Sequence, residues 1–352
     1  MNEAWNLLGW NDRLEAARQV YDKKWTPARV VSEHKHMYRV LDDRGELLAT
    51  LSGKFRQKGE FPAVGDWVLI DARHEEGKAT IRALLPRKSK FSRNEAGAVT
   101  KEQIVAANID YIYLVMALNQ EYNLRRLERY LLAAYDSGAL PVIILSKGDL
   151  CSDVEGRLLE VEAIAPGVDV YVTSAIDGRG VDAIGNQLAA GVTAAFLGSS
   201  GAGKSTLVNM LYGKEVQLAG DIREDDGKGR HTTTHRELIR IPGGGMIIDT
   251  PGMRELQLWN QQHAGMSAAF ADIEELANGC RFRDCTHQKE PGCRVQEAMD
   301  SGGLEAERLQ SYFKLQRELR YFDRKTSAKA QLEQGKQFKQ LSKHVKQVKK
   351  RR

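Results

Sequence analysis

The sequence predicts a multidomain chain in three parts: an N-terminal antiparallel β-barrel, a central α/β domain with a parallel sheet, and a mainly helical C-terminal region built around a metal. Three observations carry this. Between Ala28 and about Leu85, five short stretches alternate apolar and polar residues. From Ile109 onward, strand-like and helix-like runs alternate. Near the end, Cys280, Cys285, His287 and Cys293 cluster within fourteen residues.

Length and composition allow this. A chain of 352 residues accommodates two or three domains, and 42% hydrophobic with 28% charged residues is a globular balance. No apolar run reaches the ~20 residues that span a bilayer, and Met1 to Trp10 lacks the pattern of a secretory signal. The expected compartment is therefore the cytoplasm, without a membrane partner. The net charge of +5 is uneven: Arg324 to Arg352 holds eleven Lys and Arg against one Glu, which leaves residues 1–323 at −5. A basic arm on an acidic body implies a polyanionic partner such as nucleic acid.

Residues 1–27 read as a short helical lead-in with scattered apolar positions such as Trp5, Leu7, Leu8 and Trp10. Residues 28–90 form the barrel, with strands ARVVSEH, MYRVLDD, ELLATLS, DWVLIDA and KATIRALL and turns at Asp43-Arg44-Gly45 and Gly65-Asp66. Five strands in about sixty residues fit an OB-fold, a barrel that binds oligonucleotides; an SH3-like barrel has the same sequence pattern. Arg39, Arg44, Lys54, Arg56 and Lys58 face either phosphate or solvent. Residues 86–108 read as a polar linker.

Within 91–262, strands IDYIYLVMAL, LPVIIL and VDVYVT alternate with helices NLRRLERYLLAAYDSG, DVEGRLLEVEAIAP and VDAIGNQLAA. Such alternation gives a parallel sheet whose ligands bind at the carboxyl ends of the strands. The strand Val192–Leu197 enters Gly198-Ser199-Ser200-Gly201-Ala202-Gly203-Lys204-Ser205-Thr206, which satisfies G-x-x-x-x-G-K-[ST]. In that loop, backbone N–H groups and a helix N-terminus surround nucleotide phosphates. Lys204 reaches the β and γ phosphates, and the Ser205 hydroxyl ligates Mg²⁺. Leu207, Val208, Met210 and Leu211 supply the apolar face of the helix that follows.

The neighbouring loops specify the base. Ser146-Lys147-Gly148-Asp149 resembles the guanine-reading [NT]-K-x-D signature, with Ser in place of the usual Asn. Asp149 accepts from the two adjacent donors on the guanine edge, a pair that adenine lacks. Ser174-Ala175 resembles the S-A element that packs under the base. Past the phosphate loop, GDIREDDGKGRHTTTHREL reads as a loop containing Thr232, Thr233 and Thr234, of which Thr233 is taken to complete the Mg²⁺ shell. Strand GMIID ends at Asp249-Thr250-Pro251-Gly252, matching D-x-x-G, where Asp249 holds Mg²⁺ through water and the Gly252 N–H senses the γ-phosphate.

The order of these loops is permuted. An ordinary GTPase begins with the phosphate loop, whereas here the base-reading loop precedes it and D-x-x-G runs toward the C-terminal region. Circular permutation is tolerated where the natural termini lie close together. In 263–323, the spacing C-x4-C-x-H-x5-C provides three thiolates and one imidazole, a closed and hence structural Zn²⁺ set. Helices are expected near Ala268–Leu276 and Leu304–Tyr321, followed by the basic tail 324–352.

The barrel, the permuted GTPase motifs and the zinc spacing together resemble the bacterial ribosome-small-subunit-dependent GTPase A family, RsgA, also called YjeQ or EngC. G-R-H-T-T-T at 229–234, D-T-P-G at 249–252 and the C-x4-C-x-H-x5-C set carry that resemblance most specifically. It implies an OB-fold and a cytoplasmic GTPase, stimulated by the 30S subunit, that contacts 16S rRNA during late small-subunit maturation. A monomer is expected. Met253 stands where Ras-like enzymes place a water-orienting Gln, so His231, with His235 second, is the candidate to orient the attacking water. The alternatives are an RNA-binding assembly factor that uses GTP as a switch with negligible turnover, and an ATPase or nucleotide kinase, which Asp149 and D-x-x-G disfavour.

Overall fold

A barrel strand buries one face, and residues 46–51 follow that rule strictly: Leu47, Ala49 and Leu51 turn inward while Glu46, Leu48 and Thr50 face out. The structure is a computed structural model that describes residues 3–34, 37–57, 60–94, 102–213, 236–249 and 264–326. The chain divides into two compact units, 1–92 with 104–256, and 93–103 with 257–352.

In the first unit, helices α1 (Glu3–Leu7) and α2 (Asp12–Arg18) form the lead-in, and Asn11 caps α2 by accepting from the Leu14 N–H at 3.2 Å. The barrel comprises β1 (Thr26–His34), β2 (Met37–Leu41), β3 (Glu46–Leu51), the short α3 (Gly53–Gln57), β4 (Trp67–Arg73) and β5 (Lys78–Leu84). Its strands close in the order β1-β2-β3-β5-β4-β1, with β3 and β5 parallel and every other pair antiparallel. That circuit is the OB arrangement and settles the choice against an SH3-like barrel. Val30, Tyr38, Val40, Leu47, Ile70 and Ile81 fill the interior.

Residues 86–108 are not a simple linker. They hold β6 (Lys90–Asn94) and β7 (Glu102–Ala107), which form a two-stranded ribbon. Ala106 also bridges to Val64, next to the barrel. These strands are short, and neither alternates: β6 is polar apart from Phe91 and β7 runs Glu-Gln-Ile-Val-Ala-Ala, so their periodicity does not stand out from that of a loop.

The α/β part follows with β8 (Tyr111–Ala117), α4 (Leu124–Ser137), β9 (Leu140–Ser146), α5 (Val154–Ile164), β10 (Val170–Val172), α6 (Val181–Gln187), β11 (Thr193–Leu197), α7 (Lys204–Tyr212), β12 (Glu237–Arg240) and β13 (Met246–Asp249). Helix α4 shows why these segments are helical. Asn123 caps it, Leu127, Leu131 and Ala134 form its buried stripe, and Gly138 ends it at φ 81°. The sheet runs β10-β9-β8-β11-β13-β12, and its first five strands are parallel. Strand β12 lies antiparallel to β13 and occupies the end of the segment expected to be a loop. It also pairs with β1 through Ser32 and Glu237, which makes barrel and α/β layer one eleven-stranded sheet.

Arg29 holds this junction. It is 1% exposed, and its guanidinium donates to the Leu8 carbonyl in the lead-in, to Gly65 O at 3.3 Å, to Asn108 O at 3.1 Å and to Thr193 Oγ1 at 2.8 Å. Burial pulls its pKa down to about 10, with Asp110 and Asp66 pulling the other way, so it remains a cation at neutral pH. Trp67 lies 5.7 Å beneath it and meets Trp10 edge-on at 4.9 Å.

The second unit contains α8 (Ala264–Ala269), α9 (Ala271–Asn278), α10 (Arg294–Asp300) and α11 (Ala306–Thr326). Phe270, Ile273, Val295, Leu309, Leu315 and Leu319 are buried among them. Arg308 grips Asp272 through two bonds of 2.6 and 2.7 Å and lies 4.8 Å over the Phe270 ring. Among the described residues, no helix is long and apolar enough to cross a membrane.

Arg29→Ala would take a donor from four buried acceptors, of which only the Gly65 carbonyl keeps another, from the Asn108 amide at 3.1 Å. It is expected to lower unfolding free energy by ~3 kcal/mol or more, read as a shift in the urea midpoint. Arg29→Lys should recover only a fraction, because one ammonium cannot reproduce the fork.

Candidate functional site

Because β8, β9, β10, β11 and β13 are parallel, their carboxyl ends share one edge, and the loops at that edge form the site. The phosphate loop joins β11 to α7 across residues 198–203. At Gly198 a Cβ would lie 2.3 Å from the Val115 carbonyl, so only glycine lets the loop leave the sheet this close to β8. Gly203, at φ 91°, turns the chain into α7, whose first N–H groups point toward the loop. The Lys204 ammonium lies back across the loop and donates to Gly198 O at 2.8 Å and Ser199 O at 2.6 Å.

The loop expected to read the base follows β9. Ser146 is buried, and its hydroxyl donates to the Ala202 carbonyl of the phosphate loop at 2.6 Å. The shorter serine thus makes the tether between the two loops. Lys147 takes the left-handed conformation at φ 58°, and a 3-10 turn at Gly148–Leu150 presents Asp149. The Gly148 N–H donates to Thr173 O at 3.0 Å, which ties this loop to the one after β10. There Ser174 is fully buried and its hydroxyl accepts from the Ile176 N–H at 3.2 Å.

Between these loops lies a half-open cavity of about 300 Å³. Ser146, Lys147, Asp149, Ser174 and Ala175 line it together with Gly203 and Thr206 of the phosphate loop. Leu150, Thr173, Ile176, Val181, Leu207 and Met210 complete the lining and are not evident from the motifs. Leu150 and Ile176 carry a readable signal, being apolar next to a motif, and are 63% and 83% exposed here. Val181, Leu207 and Met210 look in sequence like ordinary helix core. The chemistry on offer is an apolar slot for a flat ring, one carboxylate at its lip and a phosphate cradle alongside.

Asp249 ends β13 at the same edge, with its backbone opposite Glu237. His231, Thr232, Thr233, Thr234, His235, Thr250, Pro251, Gly252 and Met253 lie outside the described residues, as does the tail from 327.

In the second unit, Cys280, Cys285, His287 and Cys293 bring four ligand atoms within 4.8 Å of one another. His287 Nδ1 lies 3.6 Å from Cys280 Sγ and 3.5 Å from Cys293 Sγ, and the two sulfurs are 3.9 Å apart. A tetrahedron with ~2.3 Å metal–sulfur bonds has edges of about 3.8 Å, so the group fits a metal ion. The loop presenting His287 is organised by Glu290, whose carboxylate accepts from the Thr286 hydroxyl at 2.5 Å and from the N–H groups of Thr286, Gln288 and Lys289 at 2.9–3.0 Å. The Thr286 bonds, and then the Gln288 N–H, hold that carboxyl well below the usual range. Gln296 donates to the His287 carbonyl at 2.6 Å.

A base-reading loop tethered to a phosphate loop, and placed before it in the chain, defines a circularly permuted P-loop GTPase. The RsgA GTPase family model matches residues 84–259. A second model, ABC transporter, matches 181–348, a span that includes the phosphate loop. A protein of Opitutus terrae named small ribosomal subunit biogenesis GTPase RsgA is 46% identical over 331 residues, covering 90% of each chain. One of the same name from Methanosarcina acetivorans is 40% identical over 98% of this chain and 93% of its own. Among solved structures, YjeQ from Thermotoga maritima superposes with TM-score 0.64 at 29% identity, covering 83% of this chain and 97% of that one. YloQ, described as a circularly permuted GTPase, gives 0.64 at 26% identity, covering 86% and 98%. The chain belongs to the RsgA GTPase family and is a GTP-hydrolysing P-loop enzyme.

Ser146→Ala removes the donor to Ala202 and is expected to weaken GDP binding about five- to tenfold, the value of one buried hydrogen bond, measured by fluorescent-nucleotide titration. Ser146→Thr, which keeps the hydroxyl, should retain most of the affinity.

Proposed function

We propose that this protein binds the 30S ribosomal subunit, contacts 16S rRNA and hydrolyses GTP to GDP and phosphate during late small-subunit maturation, as a cytoplasmic monomer. The observation that supports the nucleotide part is the Ser146–Ala202 bond, which ties the loop carrying Asp149 to the loop 198–203 on one cavity. Support for the ribosomal part comes from the names of relatives 40–47% identical over most of the chain. The OB barrel adds a fold that binds oligonucleotides.

In this reading Asp149, with Ser146, Lys147 and Gly148, selects guanine, while Ser174 and Ala175 back the base. Residues 198–206 hold the phosphates. Ser205, Thr233 and Asp249 would hold Mg²⁺, which neutralises charge on the β and γ oxygens when bound. His231 orients the water that attacks the γ-phosphorus. The bond to the β–γ bridging oxygen breaks, GDP leaves, and the water's protons pass to phosphate and solvent. Gly252 senses the γ-phosphate. The modules in this account are 28–90 for RNA, 91–262 for GTP, 263–323 for the metal and 324–352 as a basic arm.

The metal is proposed to be Zn²⁺, one structural ion held by Cys280, Cys285, His287 and Cys293, because three thiolates and an imidazole leave no open position. Elemental analysis of the purified chain should give about one zinc per molecule. Cys285→Ser should lose the metal together with part of the helical signal.

Phosphate release measured with and without purified 30S subunits tests the function, and strong stimulation of GTP but not ATP turnover is expected. His231→Ala should bind GTP normally and lose most of the stimulated single-turnover rate. An unchanged rate would remove His231 from its role.

A further inference from the structure

The second unit turns its apolar side chains inward, and Phe282 departs from that rule beside the metal group. Phe270, Ile273, Val295 and Leu309 are buried, whereas Phe282 is 41% exposed, in the turn between Cys280 and Cys285. Tyr321 is exposed as well, but it has a hydroxyl to offer water and a phenyl ring has none.

The turn that carries Phe282 is held on both sides. The Arg281 N–H donates to Gly292 O at 3.1 Å, and the Cys285 N–H donates to Phe282 O at 3.3 Å. Cys280 and Cys285, which bracket the turn, belong to the group whose ligand atoms lie within 4.8 Å of one another. A ring on a loop fixed at its ends loses little freedom when something binds it.

Charge indicates the kind of partner. Arg281 and Arg283 flank Phe282, and the Arg281 guanidinium carbon lies over the ring, 5.5 Å from its centroid. Both arginines are exposed, as is Lys289. Asp284 is the exposed carboxylate of this turn, while Glu290 is occupied by the Thr286 hydroxyl and the N–H groups that shape the loop. An aromatic ring between two cations suits a base stacked on the ring with phosphates paired beside it. An apolar protein groove would instead have to strip water from the arginines.

We propose that Phe282 is a stacking platform for an unpaired RNA base, with Arg281 and Arg283 holding the adjoining phosphates. This rests on the reading that the protein contacts RNA, and it adds a place and a chemistry to that reading. A duplex keeps its bases stacked on one another, so the site takes single strands, loops or bulges. Every base has a π-face, so the platform is nearly indifferent to sequence.

The test is binding of the metal-loaded full chain to a fluorescent, unstructured RNA oligonucleotide over a range of salt, beside its binding to purified 30S subunits. Phe282→Ala should weaken oligonucleotide binding about five- to thirtyfold with the salt slope unchanged, the loss expected of one base–aromatic stack. Arg281→Ala and Arg283→Ala should each lower that slope by about 0.7, the value for one phosphate on a single strand. Phe282→Trp should bind at least as tightly as wild type, and Phe282→Leu, apolar but without a π-face, should be nearly as weak as Phe282→Ala. If Phe282→Ala loses its metal, Phe282→Leu, which keeps most of the bulk, decides the question. Failure of the wild-type chain to bind the oligonucleotide, or an unchanged affinity in Phe282→Leu, would overturn the proposal. So would wild-type self-association that Phe282→Ala abolishes while RNA affinity stays the same, which would assign the ring to a protein contact. If the chain ignores 30S subunits but the oligonucleotide series behaves as stated, the ribosomal reading fails and the platform stands.

Discussion

A guanidinium cut off from water must find its partners in protein, and Arg29 finds them in four separate stretches of chain. Each acceptor is a backbone carbonyl or hydroxyl that would itself be costly to bury alone. The lead-in, the barrel, the approach to β8 and the start of β11 are therefore linked: each supplies an acceptor to the same buried cation. Asp66 and Asp110 extend the arrangement, Asp66 through two bonds of 2.8 and 2.6 Å from Arg87 and Asp110 through a 2.8 Å bond from the Thr193 N–H. The barrel is in this sense part of the GTPase fold rather than an appendage on a tether.

With the amino ends of the parallel strands pinned there, their carboxyl ends are free to carry chemistry. The cavity at that edge is built from loops that bind one another: Ser146 to Ala202 and Gly148 to Thr173. Permutation matters to this geometry because strands distant in sequence remain neighbours in the sheet. Strand β11, which feeds the phosphate loop, lies between β8 and β13. The site is thus assembled from three directions along the chain, and its rigidity comes from hydrogen bonds between loops rather than from any one of them.

Much of this was legible in the sequence, for identifiable reasons. Barrel strands such as 78–84 alternate cleanly because one face is wet, and the long α/β segments carry strong 3.6-residue and apolar-run signals. The motifs expected for the phosphate loop, the base-reading loop and the metal set are local in sequence; the structure brings the first two onto one cavity and the four ligand atoms of the last within 4.8 Å. What escaped depends on partners far away. Strand β12 is four residues long and exists because β13 and β1 flank it. The ribbon β6–β7 is similarly short, and α10 spans only seven residues after a metal ligand. Arg29 looks like any strand cation until the surrounding segments close over it. Ser146 shows the reverse case: read as a departure from the signature, it makes its bond because Ala202 approaches closely enough for a short side chain.

The spread of Arg29's partners also has a temporal side. Leu8, Gly65 and Asn108 are synthesised within about the first third of the chain, whereas Thr193 follows Arg29 by 164 residues. At roughly 5–20 residues per second, a nascent barrel complete at Leu84 waits about five to twenty seconds for Thr193 to emerge. During that interval an OB barrel stands with its buried cation only partly matched. The junction is therefore sealed late in synthesis, after the phosphate-loop strand has arrived, so the young chain passes through a stage in which barrel and GTPase are not yet one body.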